Sequence, residues 1–267
     1  MEAAQADNNN KDGTFSKEID KVKDNYKVYL SQAPFETDNF ADLYPERKGN
    51  AIVYTKSDYM KGKARSESYK QKCGINVLNS IHYSPLIKIM LGALSSQGCL
   101  TDSLERYISC DICKEGKFYE NQGGYDEVNN QVFVCANNSK NYGIVHGTIL
   151  RNLITMFDAC TRKVDFKNVN HLACTEIRKA NLAGCNFMIH MTRNDSEFGV
   201  KDQHAKCVAN TAVDFLDMKI NNRELAKQAV SHVFSKCYND LEPIGRKCKN
   251  NVDMKRAYSE RYLYGYE

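Results

Sequence analysis

The stretch from Ile149 to Cys185, ILRNLITMFDACTRKVDFKNVNHLACTEIRKANLAGC, carries the reading of this chain. Its apolar residues Leu150, Leu153, Ile154 and Phe157 recur at i, i+3, i+4 and i+7, one face of an amphipathic helix. Arg151, Thr155 and Asp158 share the other face. The pattern predicts a helix over about Val145 to Lys163 and another over His171 to Leu182. Working outward, helical patterns are expected over Gln71 to Leu100, His204 to Met218 and Arg223 to Tyr238. From Tyr125 to Cys135 the pattern alternates, Val132 and Val134 opposed by Phe133, as in a short strand, with Gly123-Gly124 expected to supply the turn before it. A small sheet beside several helices is an α+β arrangement.

The 267 residues are 42% hydrophobic and 26% charged, enough for one substantial core with polar ends. A net charge of +4 without a dense Lys/Arg run interleaved with aromatics implies no nucleic-acid partner. The most basic stretch, KGKARSESYKQK from Lys61 to Lys72, reads as a solvated linker. Residues 1–70 are polar and poor in aliphatics, and are expected to form a mostly disordered extension with one short helix near Lys17 to Leu30. The opening MEAAQADNNNKDG lacks arginine and carries acidic residues, unlike a secretory signal or a matrix-targeting presequence. The segment SPLIKIMLGALSS, Ser84 to Ser96, falls short of the roughly 18 to 20 apolar residues of a spanning helix and contains Lys88. It reads as a buried or amphipathic helix, and only weakly as a membrane-surface element. The end, AYSERYLYGYE, holds four tyrosines in eleven residues, and the tail over 251–267 is expected to pack on its own domain.

Eleven cysteines lie beyond residue 72. Cys110-x-x-Cys113 could begin a zinc knuckle, but a knuckle needs a second close pair and the chain has no other C-x-x-C, so spacing favours disulfides without fixing their pairing.

Seven blocks follow one another through the chain: QKC (Gln71 to Cys73), QGC (Gln97 to Cys99), SCDIC (Ser109 to Cys113) and GGYDEVNNQVFVCAN (Gly123 to Asn137), then NVNHLACTEIRKANLAG (Asn168 to Gly184), HAKCV (His204 to Val208) and AKQAVSHVFSKCYNDLEPIGR (Ala226 to Arg246). In order and spacing they resemble the mitochondrial inner membrane metalloprotease family that matures a subunit of the ATP synthase and helps assemble its membrane sector. The resemblance covers roughly Gln71 to Pro243 and implies a disulfide-stabilised, zincin-like metalloprotease domain over residues 71–250. It further implies residence in the mitochondrial intermembrane space, peripheral to the inner membrane. The implied partners are ATP synthase membrane-sector subunits and their assembly factors, together with the inner membrane surface. Ten cysteines fit family positions and are disulfide candidates: Cys73, Cys99, Cys110, Cys113, Cys135, Cys160, Cys174, Cys185, Cys207 and Cys237. Cys248 is additional.

At the implied site the family reads His-Glu-Leu-Ile-His-Ala-Phe-Asp, against RNLITMFD here. Leu153, Ile154, Phe157 and Asp158 match, while Arg151, Asn152 and Thr155 replace the two histidines and the glutamate. A zincin needs the imidazoles at i and i+4 to reach one ion and the carboxylate to hold the attacking water. Arg151 offers a permanent cation in place of a lone pair, Thr155 is a poor zinc ligand and Asn152 accepts no proton. No catalytic residue, metal ligand or cofactor is therefore expected, although active relatives carry zinc. Glu176 is the possible remnant of a third ligand. Read simply as helix residues, His171 is hydrogen-bonded or partly exposed and Glu176 an exposed carboxylate. As a replacement ligand His146 has no partner, since Leu150 occupies its i+4 position; His190, His204 and His232 read as structural, and an aspartate that the family places between Gly184 and Cys185 is missing. Returning Arg151, Asn152 and Thr155 to His, Glu and His is expected to recover zinc binding.

These residues point to an inactive family member that keeps an assembly or chaperone-type role. Two alternatives stand beside it: an active zinc metalloendopeptidase with other ligands, and a disulfide-rich interaction protein with an unrelated partner.

Overall fold

Pro85 sets the first corner of the fold. The computed structural model describes residues 64–101, 104–113, 122–139, 141–185, 200–248 and 250–266. Helix α1 (Ala64–Tyr83) stops before Ser84, because the residue preceding a proline is driven out of helical geometry. Ser84 is extended, and its Oγ accepts from the Ile87 N–H at 3.3 Å to cap α2 (Pro85–Ser96). The helical pattern expected over 71–100 is thus two helices, and it begins early enough that 64–70 of the expected extension are helical. The helix expected near Lys17 to Leu30 lies outside the described residues. The same Ser84 Oγ lies 2.8 Å from His146 Nε2 on α3 (Tyr142–Arg162), and burial pulls that imidazole's pKa down.

The single strand expected over 125–135 is a hairpin. Strands β2 (Gly123–Asp126) and β3 (Gln131–Cys135) pair antiparallel, and β1 (Ile108–Asp111), not foreseen, lies parallel to β3 on its other side. The turn between them is made by Asp126, whose Oδ1 accepts from the Val128 and Asn129 N–H groups, and by Asn130 at φ 49°. Gly123 and Gly124 belong to β2 itself and serve close approach. A Cβ on Gly123, at φ +155°, would sit 2.3 Å from the Phe133 carbonyl oxygen, and one on Gly124 would sit 2.6 Å from the Phe133 ring. Val132 and Val134 are buried as their alternation predicts.

Two hydrophobic cores result. In the first, α1, α2 and the sheet enclose α3, whose Val145, Ile149, Leu153 and Met156 are fully buried. The tail joins this core. Residues 251–259 form α7 (Asn251–Ser259), and Ala257 and Tyr266 are buried there. The second core packs α4 (Val169–Lys179), α5 (Val200–Ile220) and α6 (Arg223–Asn239) through Leu172, Ile177, Ala212, Leu216, Ala226 and Val230. Asparagine caps four of these helices: Asn141, Asn168, Asn222 and Asn250 each accept from the first turn. Among the described residues no helix is long and apolar enough to cross a membrane.

Five disulfides pair all ten expected cysteines: Cys73–Cys110, Cys99–Cys160, Cys113–Cys135, Cys174–Cys237 and Cys185–Cys207. Cys110 and Cys113 therefore bond to different partners and form no zinc knuckle. Cys248 is free, with its thiol pushed by burial up to about 11, so it is a poor nucleophile at neutral pH. Thiol titration of the oxidised chain in denaturant should find one thiol. Cys99→Ser with Cys160→Ser opens a link spanning a sequence separation of 61. In urea denaturation that pair should cost about 4 kcal/mol by the chain-entropy relation.

Candidate functional site

Where the two cores meet, α3 and α4 bring Arg151 against Glu176. The turn is wide here: after α4 the chain continues as a π-helical turn, Ala180–Gly184, with the Cys185 N–H donating to the Ala180 carbonyl at 2.7 Å. Glu176 is not the exposed carboxylate its place in the helix suggested. It is 1% exposed, because α4 turns this face inward against α3 and α5. Its Oε1 accepts from Lys179 Nζ at 2.9 Å and from Lys219 Nζ, on α5, at 2.7 Å. Its Oε2 lies 3.4 Å from Arg151 Nη2. The Arg151 guanidinium stacks on the Phe215 ring, 3.9 Å from its centroid, and lies 3.3 Å from where a Cβ on Gly184 would sit.

One buried carboxylate thus holds three cations. Burial pushes the Glu176 carboxyl up, but Lys179, Lys219 and Arg151 together outweigh it and hold it well below the usual carboxylate range. Burial pulls Lys179 down to about 7 against the opposing pull of Glu176. It also lowers Arg151, which stays charged all the same.

The other two degenerate positions are turned onto their own helix. Asn152 Nδ2 donates to the Thr148 carbonyl at 2.9 Å, and Thr155 Oγ1 donates to the Arg151 carbonyl at 3.3 Å. Asp158 is buried against Arg178, whose Nε lies 3.0 and 3.2 Å from the two carboxylate oxygens. Arg178 continues to the Glu242 carbonyl at 2.7 Å and to the Asp240 carboxylate, which Arg162 also meets. This network fastens α3, α4 and the segment after α6 together. His171 is exposed and its Nδ1 accepts from the Asp165 N–H at 3.1 Å. His204 Nδ1 lies 2.9 Å from the Tyr238 hydroxyl, His232 is exposed, and His190 lies outside the described residues.

These residues do not fit a zinc ion. Among the described residues the one carboxylate in reach already bonds two ammonium groups, and a guanidinium stands where an imidazole lone pair would be needed. Among the described residues no group of three or more His, Cys, Asp or Glu side chains is gathered for a metal. Sequence reasoning named Arg151 and Glu176 but missed Lys179, Lys219 and Phe215. Lys179 stands three residues after Glu176, a spacing that signals an ion pair, whereas nothing local ties Lys219 to this place.

The domain is α+β, helices beside a three-stranded sheet with five cysteine pairs, an arrangement consistent with a metallopeptidase of the family that the chain matches. The chain belongs to the peptidase M76 family, which its residues 71–245 match. It is 37% identical over 234 residues to the mitochondrial inner membrane protease ATP23 homolog of Xenopus laevis, covering 84% of this chain and 93% of the relative. The Homo sapiens protein of the same description is 35% identical over 193 residues, covering 71% and 76% of the two chains. That of Danio rerio is 34% identical over 228 residues, covering 84% and 85%. No solved structure matches the chain.

Glu176→Gln should destabilise the fold by about 3 to 5 kcal/mol, measured by chemical denaturation, because it leaves buried cations without their counter-charge. The pH dependence has two arms. Glu176 is depressed in the folded state, so its contribution is full above its ordinary value of 4.5 and fades as pH falls below it. Lys179 is also depressed, from 10.5 to about 7, so the unfolded chain binds more protons between those values and stability rises with pH across that window. Lys179→Met should flatten the second arm and leave the unfolding curve otherwise cooperative.

Proposed function

We propose that this chain is a proteolytically inactive member of the family that retains an assembly role. It works in the intermembrane space at the mitochondrial inner membrane, on membrane-sector subunits of the ATP synthase and their assembly factors. The observation that carries the inactive reading is the Glu176 carboxylate held between Arg151, Lys179 and Lys219. Zinc lowers the pKa of bound water from about 15.7 to about 7, and among the described residues nothing gathered here supplies that effect or a carboxylate base to use it. The location is supported by the printed names of the relatives, which describe mitochondrial inner membrane proteases. The assembly role is supported by what survives. The Asp158–Arg178 network, the sheet and the five disulfides tie the described residues together through the chain's own side chains.

The test begins with zinc per chain and peptide cleavage by the oxidised protein after dialysis against a chelator. Neither stoichiometric zinc nor cleavage is expected, and both together would return the active-protease reading. The sequence alone predicts that Arg151→His, Asn152→Glu and Thr155→His recover zinc binding. With two ammonium groups on Glu176 Oε1, that triple variant should instead stay zinc-poor until Lys179→Ala and Lys219→Ala are added. For the assembly role, cross-linking in mitochondria should recover ATP synthase membrane-sector subunits. Recovery of only unrelated proteins would overturn it.

A further inference from the structure

A groove of about 810 Å³ opens between α1, α2 and α7, apart from the Glu176 cluster, and Leu78, Ile81, Leu91 and Leu104 give it an apolar lining. That volume lies within the roughly 300 to 1,000 Å³ of pockets that hold a small ligand. Leu78 is 65% exposed and Tyr83, also on the groove, 70%. Large apolar side chains gathered in one place and left to water mark a surface made for contact. The charges here carry one sign. Lys88 Nζ lies 5.7 Å and Arg261 Cζ 4.2 Å from the centroid of the Tyr258 ring, and no carboxylate is among the described residues that line the groove. No ion pair joins Lys88 or Arg261 to a carboxylate among the described residues. The ligand that suits such a surface offers apolar side chains spaced among acids.

The chain itself contains a segment of that chemistry. Residues 1–63 precede α1 and lie outside the described residues. Within them Pro34 to Glu46, PFETDNFADLYPE, has four acids, Glu36, Asp38, Asp42 and Glu46, and no lysine or arginine. Phe35, Phe40, Leu43 and Tyr44 stand between the acids. The flanks, Lys11 to Lys27 and Arg47 to Lys63, each hold five lysines or arginines and suit a basic groove less well. Reach is no obstacle. The 17 residues between Glu46 and Ala64 can span up to about 55 Å, whereas α1 carries the chain only about 21 Å from Ala64 to Leu78. A tether of this kind holds its end at roughly millimolar effective concentration, so even a weak contact fills the groove.

We propose that residues 34–46 of this chain dock in the groove between α1, α2 and α7, with Phe40, Leu43 and Tyr44 on its apolar lining and Asp38 and Asp42 beside Lys88 and Arg261. Any other acidic, apolar ligand of the groove must then displace this segment in order to bind. A second copy offers the same residues, but only at the protein's own concentration, and the tether favours the chain's own segment.

The experiment is limited chymotrypsin digestion of the full oxidised chain, with cleavage after Phe40 followed by mass spectrometry. Carbodiimide coupling of the same sample maps which carboxylates reach Lys88. Coupling is expected between Lys88 and Asp38 or Asp42 within single chains, at every dilution. Lys88→Glu with Arg261→Glu should speed cleavage by about threefold to tenfold, as should high salt, and Asp38→Lys with Asp42→Lys should do likewise. All four substitutions together should slow it again, which a loss of fold would not do. Lys227→Glu with Lys236→Glu, on α6, makes the same change of net charge away from the groove and should leave the rate unchanged. Cleavage that no groove variant alters, equal acceleration by the α6 pair, or no recovery in the fourfold variant would overturn the proposal. So would coupling or protection that grows with protein concentration, which would make the occupant a second copy. The variants leave Arg151, Glu176, Lys179 and Lys219 untouched, so failure here is separate from failure of the proposed function.

Discussion

The centre of this molecule depends on keeping one buried carboxylate ionised. Moving a carboxylate out of water costs several kcal/mol even after relaxation, and the loss is recovered only by close opposite charge with good hydrogen bonds. Glu176 has that from three sides, on three helices: Arg151 from α3, Lys179 from its own α4 and Lys219 from α5. Each cation in turn is tolerable in its place only because the carboxylate is there. The resemblance places a metal ion in this region of active relatives, and this chain has side-chain cations in its stead. When all four groups are ionised, three cations meet one carboxylate here, so the positive charge at this place is carried by the protein's own side chains.

Asp158, which matches the family pattern, remains buried on Arg178, and through Arg178 it reaches the backbone at Glu242. Arg162 adds a second tie to the same segment. Removing either partner of this buried pair would leave an unpaired charge, so the pair fixes how α3 meets α4.

The long periodic helices were legible in the sequence because burial selects one face, as Leu150, Leu153, Ile154 and Phe157 show. The break at Ser84-Pro85 was legible only in principle, because the apolar run continues across it while proline forbids the helix to do so. β1 was missed for a different reason. Its ISCD is buried at every position, so it shows no alternation, and its partner β3 lies more than twenty residues away. At the site, the sequence showed what was absent from positions 151, 152 and 155, because a motif can be checked letter by letter. It could not show that Glu176 is buried or that Lys219 reaches it, since both depend on how α5 packs against α4. The glycines at 123 and 124 were legible as special but were assigned the wrong reason, turn in place of close approach, because both needs select the same residue.

The disulfides divide along the chain as the cores do. Cys73, Cys99, Cys110, Cys113, Cys135 and Cys160 pair among themselves, and Cys174, Cys185, Cys207 and Cys237 do likewise. No disulfide crosses the seam; ion pairs and packing hold it beside the chain's own passage through it. Each group of disulfides therefore constrains only its own stretch of chain, and the contact between the two stretches is left to noncovalent forces, the Glu176 ion pairs among them.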